Sequence, residues 1–410
     1  MILQHLVYQL PTRHQKNFSS GHAINRRLFH QRAVESIGIL NNFRIENLKI
    51  DRGLQGWVVD GSLLWVLGAV GTKATYYTLA NMEQASMNIR YDQPIPLGWF
   101  ALEYSSKLAA GDVMPLQYFG RDLVLFRTES GQARLLDAYC PHLGAHLGHG
   151  GVVKGDNIAC PFHGWQFDGD GRCRAVPYAT NIPPKATDKQ IVGSYAVVER
   201  NAMIWAWYHP NNEAPGFEVE TIAEIGSPDW TDIEVYDWKI NTIIQEAGEN
   251  GADVAHFMFV HSSPEMPQGE VTMDGIRRST LLLNKVPRIN EAGETDDSGQ
   301  DWEFIEVNSV NVGPGQTIQR ITRAFEVVMM GTITPIDEQS IHLRFTFTVP
   351  RSQTDMNQTL AEATRDNIAG GVEQDIVIWN NKRYVENPIL CDGDGPIARY
   401  RKWFSQFYAT

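Results

Sequence analysis

The 410-residue sequence predicts an α+β protein: an antiparallel β domain, then a domain in which a curved antiparallel sheet holds a long helix. Three observations carry this. From Trp99 to about Tyr208, short β-branched or aromatic stretches are broken by turn signals. A helical stretch around Ile243 to Val260 then precedes long alternating runs. The chain turns helical again from about Leu360.

In chain order, residues 1–85 read as an N-terminal extension. The first eighty residues hold nine Lys and Arg against four acids, the reverse of the whole chain's net charge of −13. No acid precedes Glu35, and Arg-rich, acid-poor composition resembles an organellar transit peptide. A flexible extension fits equally, as does upstream sequence ahead of a start at Met82 or Met87.

Residues 97–210 form the expected β domain. The apolar run Leu123 to Phe126 reads as a strand, and Gly155-Asp-Asn157 and Asp168-Gly-Asp-Gly171 read as turns. Asn211 to Pro215 is a linker, and 211–410 form the second domain. In it, Ile318 to Met330 and Ser340 to Val349 alternate as half-buried strands do. Tyr400, Trp403, Phe404, Phe407 and Tyr408 share one face of a docking helix.

Composition excludes several classes. A chain at −13 lacks the positive footprint that sequence-independent nucleic-acid binding needs. Four cysteines in so long a chain make no disulfide framework and point instead to metal ligands. The longest uncharged apolar run near the start, Leu63 to Gly71, is nine residues, against the roughly 20 of a spanning helix, so no transmembrane segment is expected.

Two Cys/His pairs carry the first chemistry: Cys140-Pro-His142-Leu-Gly-Ala-His-Leu-Gly, and, after an interval, Cys160-Pro-Phe-His163-Gly-Trp165. Two thiolates can hold one iron of a 2Fe-2S cluster and two imidazoles the other. Glycines at 144, 148, 150, 151 and 164 let backbone N–H groups approach the cluster. Zinc accepts the same ligands, but its sites usually place two Cys in one knuckle and two His in the other. His146 and His149 read as loop residues, Cys173 and Cys391 as reduced thiols.

The paired pattern resembles the Rieske domain of ring- and steroid-hydroxylating oxygenases. Respiratory Rieske proteins carry an extra cysteine in each loop, where this sequence has Ala145 and Phe162, so the resemblance is to the oxygenase and ferredoxin branch.

A ferredoxin would stop near residue 210, whereas this chain continues to Asn250-Gly-Ala-Asp253-Val-Ala-His256-Phe-Met-Phe-Val-His261. On a helix Asn250, Asp253 and His256 share one stripe, and the apolar residues between them predict burial on most sides. His261 lies five residues past His256, so the helix must loosen or end there for the rings to converge, with Pro264 placed to help. Alone, the stripe fits a structural polar network as well as a metal site. It resembles the Asn-x2-Asp-x2-His-x4-His signature of Rieske oxygenase catalytic domains, whose helix-grip fold adds one carboxylate from a later helix. In Glu373-Gln-Asp375-Ile-Val-Ile-Trp379, helical spacing puts Asp375 on the core face with Ile368, Val372, Ile378 and Trp379, and Glu373 elsewhere. Two imidazoles and this carboxylate leave one face of an Fe(II) open.

From about Trp99 onward the sequence is similar to the oxygenase component of 3-ketosteroid 9α-hydroxylases, on Glu373 to Trp379, Asn387 to Cys391, Asp394-Gly-Pro396 and Tyr400 to Tyr408. The resemblance implies a homotrimer in which Asp253 bridges a cluster histidine to His256 of the next subunit; Asp253 could instead merely fix the tautomer of His256. It also implies a separate flavin-containing ferredoxin-type reductase fed by NADH or NADPH, dioxygen as oxidant, and hydroxylation of a hydrophobic polycyclic substrate, with a steroid favoured. No Rossmann glycine motif is present, in keeping with that division of labour. Sterol desaturation or demethylation and aromatic hydroxylation are the alternatives within the family. An electron carrier and a zinc-stabilised binding module are the alternatives outside it. A cytoplasmic location is expected, or an organellar one if the extension is a transit peptide.

Overall fold

The computed structural model describes residues 55–59, 62–66, 76–78, 90–263, 265–287, 302–323 and 325–409. Contacts group the chain into two units, Met1–Arg90 and Tyr91–Thr410. In the first, strands Gln55–Val59, Ser62–Val66 and Tyr76–Thr78 pair antiparallel in sequence order. The rest of the expected extension, with Met82, Met87 and the basic stretch, lies outside the described residues.

The second unit begins with three small antiparallel sheets. One orders strands Ser194–Tyr195, Ala133–Asp137, Arg121–Arg127 and Val113–Tyr118; another orders Val197–Arg200, Met203–Tyr208 and Gly98–Tyr104; the third orders Cys173–Ala175, Gln166–Phe167, Asn157–Ala159 and Val152–Lys154. The run Leu123 to Phe126 is apolar throughout because its strand is buried on both faces. Leu123 and Leu125 join the core shared with the C-terminal helix, while Val124 and Phe126 pack with Leu147, Ile158 and Phe167 behind the two Cys/His loops.

The expected sheet and long helix follow. Seven antiparallel strands run in the order Glu234–Ile240, Ile341–Thr348, Val327–Pro335, Gln316–Thr322, Trp302–Val312, Arg277–Pro287 and Gln268–Asp274. Helix Asp355–Trp379 starts at Thr354, whose side chain accepts from the N–H of Asn357. Leu360 and Ala361 pack on Val327, Met329 and Phe347, and Tyr236 Oη donates to Asp366 at 2.8 Å. Among the described residues no helix is long and apolar enough to cross a membrane.

Several expectations need correction. Ile318 to Met330 is not one strand but most of a hairpin, with Ile318 directly opposite Met330 and Arg323 at φ 100° in the connection. The half-buried character expected of these runs also fails, since Val327–Pro335 is buried throughout and Ile341–Thr348 at every residue but Phe345. The stretch from Ile243 to Val260 is two short helices, Ile244–Glu249 and His256–Phe259, separated by a break. It is also less buried than expected: Phe259 is 85% exposed.

The two halves of this unit are joined by polar contacts as well as apolar ones. The Arg344 guanidinium donates to the carbonyls of Ala101 (3.1 Å) and Leu102 (2.8 Å) and to Tyr118 Oη (2.8 Å), which also bonds His342 Nδ1 at 2.8 Å. Leu97 N–H reaches the Phe407 carbonyl at 2.8 Å. The face of Tyr400, Trp403, Phe404 and Phe407 docks into the same core as Leu102 and Leu125.

Candidate metal centres

The first Cys/His pair follows strand Ala133–Asp137, and the second connects Asn157–Ala159 to Gln166–Phe167. One hydrogen-bond plan shapes both loops. Cys140 N–H donates to the Ala145 carbonyl (2.9 Å) and Gly144 N–H to the Cys140 carbonyl (2.9 Å); Cys160 N–H donates to the Trp165 carbonyl (2.8 Å) and Gly164 N–H to the Cys160 carbonyl (2.9 Å). The closing residue is left-handed in each, Gly144 at φ 78° and Gly164 at φ 72°, so glycine is needed at both.

These turns bring the four side chains together in two like pairs. Burial pushes the Cys140 thiol up to about 11, and the neighbouring Cys160 adds to the rise. A bound metal ion reverses that preference, because a coordinating thiol gives up its proton. The rings of His142 and His163 lie 4.8 Å apart, and His142 stacks on Trp165, whose indole N–H donates to Tyr178 Oη at 2.9 Å. Nδ1 of His163 is buried with no hydrogen-bond partner among the described residues. Such a nitrogen is costly unless something takes its lone pair, and a metal does so. The residues present therefore fit a cluster held by two thiolates and two imidazoles.

The remaining candidates in these loops are occupied otherwise. His146 Nδ1 accepts the Gly148 N–H at 3.0 Å, and its ring packs edge-on against Tyr139. Cys173 is buried and Cys391 exposed, both as free thiols.

The second set forms where the broken helix meets the long one. Ligand atoms of His256, His261 and Asp375 all lie within 4.8 Å of one another. The break is what permits this: the helix from His256 ends after one turn, with the Val260 N–H bonded to the His256 carbonyl, and Ser262 turns left-handed at φ 56°. The rings of His256 and His261 then stand 5.0 Å apart and nearly perpendicular.

Hydrogen bonds assign the tautomers. His256 Nδ1 donates to the Asp253 carbonyl and His261 Nδ1 to Gln374 Oε1 (2.9 Å), which leaves a lone pair on each Nε2. His261 Nε2 faces Asp375 Oδ1 at 3.3 Å. The Asn250 amide donates to His256 Nε2 (3.1 Å) and Asp375 Oδ2 (2.8 Å). Burial raises the Asp375 carboxyl above the usual carboxylate range, opposed by His261 and His256. Converging lone pairs around a buried acid are what a divalent cation satisfies, so this set also fits a metal.

Asp253 contacts His256 twice. Its Oδ1 accepts the His256 N–H at 3.2 Å, and its Oδ2 has no partner among the described residues. The tautomer of His256 is thus fixed by the Asp253 carbonyl and not by its carboxylate. On the long helix Val372, Asp375 and Trp379 are buried and Glu373 is exposed, as spacing requires, but Ile378 is 45% exposed and Ile376 packs inward in its place. Gln374, orienting His261, had no role in the sequence reading. Its only signal was adjacency to Asp375, since its contact is made across 113 residues.

Two family models match the chain: the Rieske [2Fe-2S] domain over residues 98–193 and the 3-ketosteroid 9alpha-hydroxylase C-terminal domain over residues 206–408. A cholesterol 7-desaturase of Ciona intestinalis is 34% identical, the match covering 80% of this chain and 73% of the relative. A 3-ketosteroid-9-alpha-monooxygenase oxygenase component of Rhodococcus rhodochrous is 31% identical, covering 76% and 79% respectively. Among solved structures, dicamba monooxygenase bound to dicamba superposes with a TM-score of 0.60 at 20% identity, over 76% of this chain and 96% of the other, a likeness of fold.

Proposed function

We infer the activity from one premise: the chain belongs to the Rieske oxygenases, in the branch that holds the 3-ketosteroid 9α-monooxygenase oxygenase components and the cholesterol 7-desaturases. It is the oxygenase part of a system whose electrons come from a separate reductase. We propose that it hydroxylates a steroid, the reading the family branch favours. The observation that carries an oxygenase reading at the level of residues is the convergence of His256, His261 and Asp375 in a chain that also presents the two Cys/His loops.

In this proposal residues 97–210 hold the cluster through Cys140, Cys160, His142 and His163. Residues 211–410 hold one Fe(II) through His256, His261 and Asp375. The bound groups supply electron transfer and the activation of dioxygen. The chain's own residues do the rest. Gln374 and the Asp253 carbonyl hold the two imidazoles as lone-pair donors toward the site. Asn250 orients the Asp375 carboxylate against them. Leu282, Ile305, Val307 and Met329, with Phe345 packed against them, form an apolar core cluster with the long helix, the kind of lining that a polycyclic skeleton would require.

Flavin in the reductase, NADH or NADPH as its donor and a homotrimer complete the proposal. Leu143, Phe162 and Tyr178 at the cluster loops are each more than 60% exposed, apolar area suited to a neighbouring subunit. A Cys160→Ser variant is expected to lose the visible absorbance and reduced-state EPR signal of the cluster, whereas Cys173→Ser keeps both. Equal loss in the two would remove the ligand assignment.

Desaturation is the second reading, favoured by the 34% identity to a cholesterol 7-desaturase. The purified protein, a class-matched reductase and 18O2 with a panel of 3-ketosteroids and 3-hydroxysterols decide between them. Hydroxylation places one labelled oxygen in the product. Desaturation removes two hydrogens and places none. A panel that leaves every steroid untouched while an aromatic substrate is hydroxylated would overturn the steroid assignment.

A further inference from the structure

Arg278 is 3% exposed, and among the described residues no carboxylate pairs with it. A buried cation without a counter-ion is costly, so its contacts must supply what an acid otherwise would. Nη1 donates to Asn311 Oδ1 at 3.0 Å and Nη2 to the carbonyl of Gly251 at 2.5 Å, while Nε is buried with no partner among the described residues. The group lies over the ring of Tyr400, 5.6 Å from its centroid. Asn311 is itself fixed, donating to Thr317 Oγ1 at 2.7 Å, so three adjacent strands brace the cation through Arg278, Asn311 and Thr317.

Gly251 lies in the break between Ile244–Glu249 and His256–Phe259. A continuous helix would give its carbonyl the N–H of residue 255, but here the turn tightens, with the Ala252 N–H returning to the Glu249 carbonyl and the Asp253 N–H shared between the carbonyls of Glu249 and Asn250. We propose that Arg278 is a positioning residue: it takes the carbonyl that the break leaves over and so holds Asn250 and Asp253 in register with His256 and Asp375. This rests on the reading of His256, His261 and Asp375 as the iron site. Other contacts hold the break as well, among them the Asn250 amide on Asp375 Oδ2 at 2.8 Å. Arg401 grips Glu249 at 2.6 and 2.9 Å, and Gly395 lies so close to the Ala252 carbonyl that a Cβ would come within 2.6 Å of it. Arg278 is the side chain that reaches the Gly251 carbonyl.

The test compares the full-length protein with Arg278→Met, both with the cluster loaded. Amide hydrogen exchange is read without mononuclear metal, and Fe(II) affinity by titration. Arg278→Met is expected to speed exchange of the amides from Gly251 to His256 by about tenfold, and to weaken Fe(II) binding by about 10–100-fold, the cost typical of an outer partner of a ligand. The reduced cluster's EPR signal and exchange in strands Val327–Pro335 and Ile341–Thr348 stay unchanged. Parent-like exchange and affinity, or faster exchange spread over the whole domain, overturns the proposal. If Arg278→Met does not fold, Asn311→Ala frees the guanidinium while keeping its charge, and is read by the same two outcomes. Because exchange is measured without iron, it decides the role of Arg278 even if the parent takes up no Fe(II), a result that instead removes the metal assignment.

Discussion

Asp375→Ala is expected to weaken Fe(II) binding at the second centre by more than about a hundredfold, beyond the 10–100-fold typical of losing an outer partner, and to abolish turnover. The expectation follows from how much depends on one carboxylate. Asp375 is the sole acid in the group formed with His256 and His261, it is 5% exposed, and it also anchors the Asn250 amide at 2.8 Å. Its loss removes a ligand, leaves Asn250 bonded only to His256 Nε2, and takes away the negative charge that balances a divalent ion. Glu373→Ala, two residues away on the exposed side, should bind Fe(II) as the parent does. The cluster signal should persist in both. Retention of iron in Asp375→Ala with loss in Glu373→Ala would reassign the carboxylate ligand.

Asp253→Asn should leave both metal centres loaded and still lower turnover by about two orders of magnitude, the upper part of the range for outer-partner losses. The carbonyl and the carboxylate of this residue make different contacts. Its backbone carbonyl fixes His256, and a side-chain substitution does not remove that bond. An asparagine oxygen can also keep the contact from Oδ1 to the His256 N–H. What changes is Oδ2, which becomes an N–H donor in place of a charged acceptor. If that oxygen meets a cluster histidine of a second subunit, the link between the centres is broken while each centre stays intact. Rapid mixing should then show slow reoxidation of the reduced cluster by dioxygen in the presence of substrate. Near-parent turnover would confine Asp253 to a local structural role.

The convergence of both candidate sets was legible in the sequence because each is built largely from short runs whose spacing encodes the turn that assembles it. Cys140 to Ala145 and Cys160 to Trp165 close on themselves, and His256 and His261 are neighbours along the chain. Asp375 was legible for a different reason: a lone acid among Val372 and Trp379 on one helix face stands out by its cost. The break after Glu249 was hidden, since apolar residues keep helical spacing straight through it. Gly248 and Gly251 were the available signal, being poor helix formers, and a Cβ on Gly248 would lie 2.3 Å from Tyr400 Oη. The hairpin around Arg323 was hidden because the run Val327 to Met330, apolar without a gap, belongs to a strand buried on both faces and reads as a continuation of the run before it. Gln374 and Arg278 could not be found from local pattern at all, because their partners arrive from other elements: Gln374 meets His261 across 113 residues, and Arg278 meets Gly251 from a separate strand.

The most direct test is to count iron, zinc and acid-labile sulfide in anaerobically reconstituted protein. The expected result is about three irons and two sulfides per chain, two irons in a cluster with a reduced-state EPR signal and one separate Fe(II) that Asp375→Ala loses. A colourless protein holding zinc, or a cluster protein whose iron stops at about two per chain and does not change in Asp375→Ala, would contradict the presence of two distinct iron environments in this polypeptide.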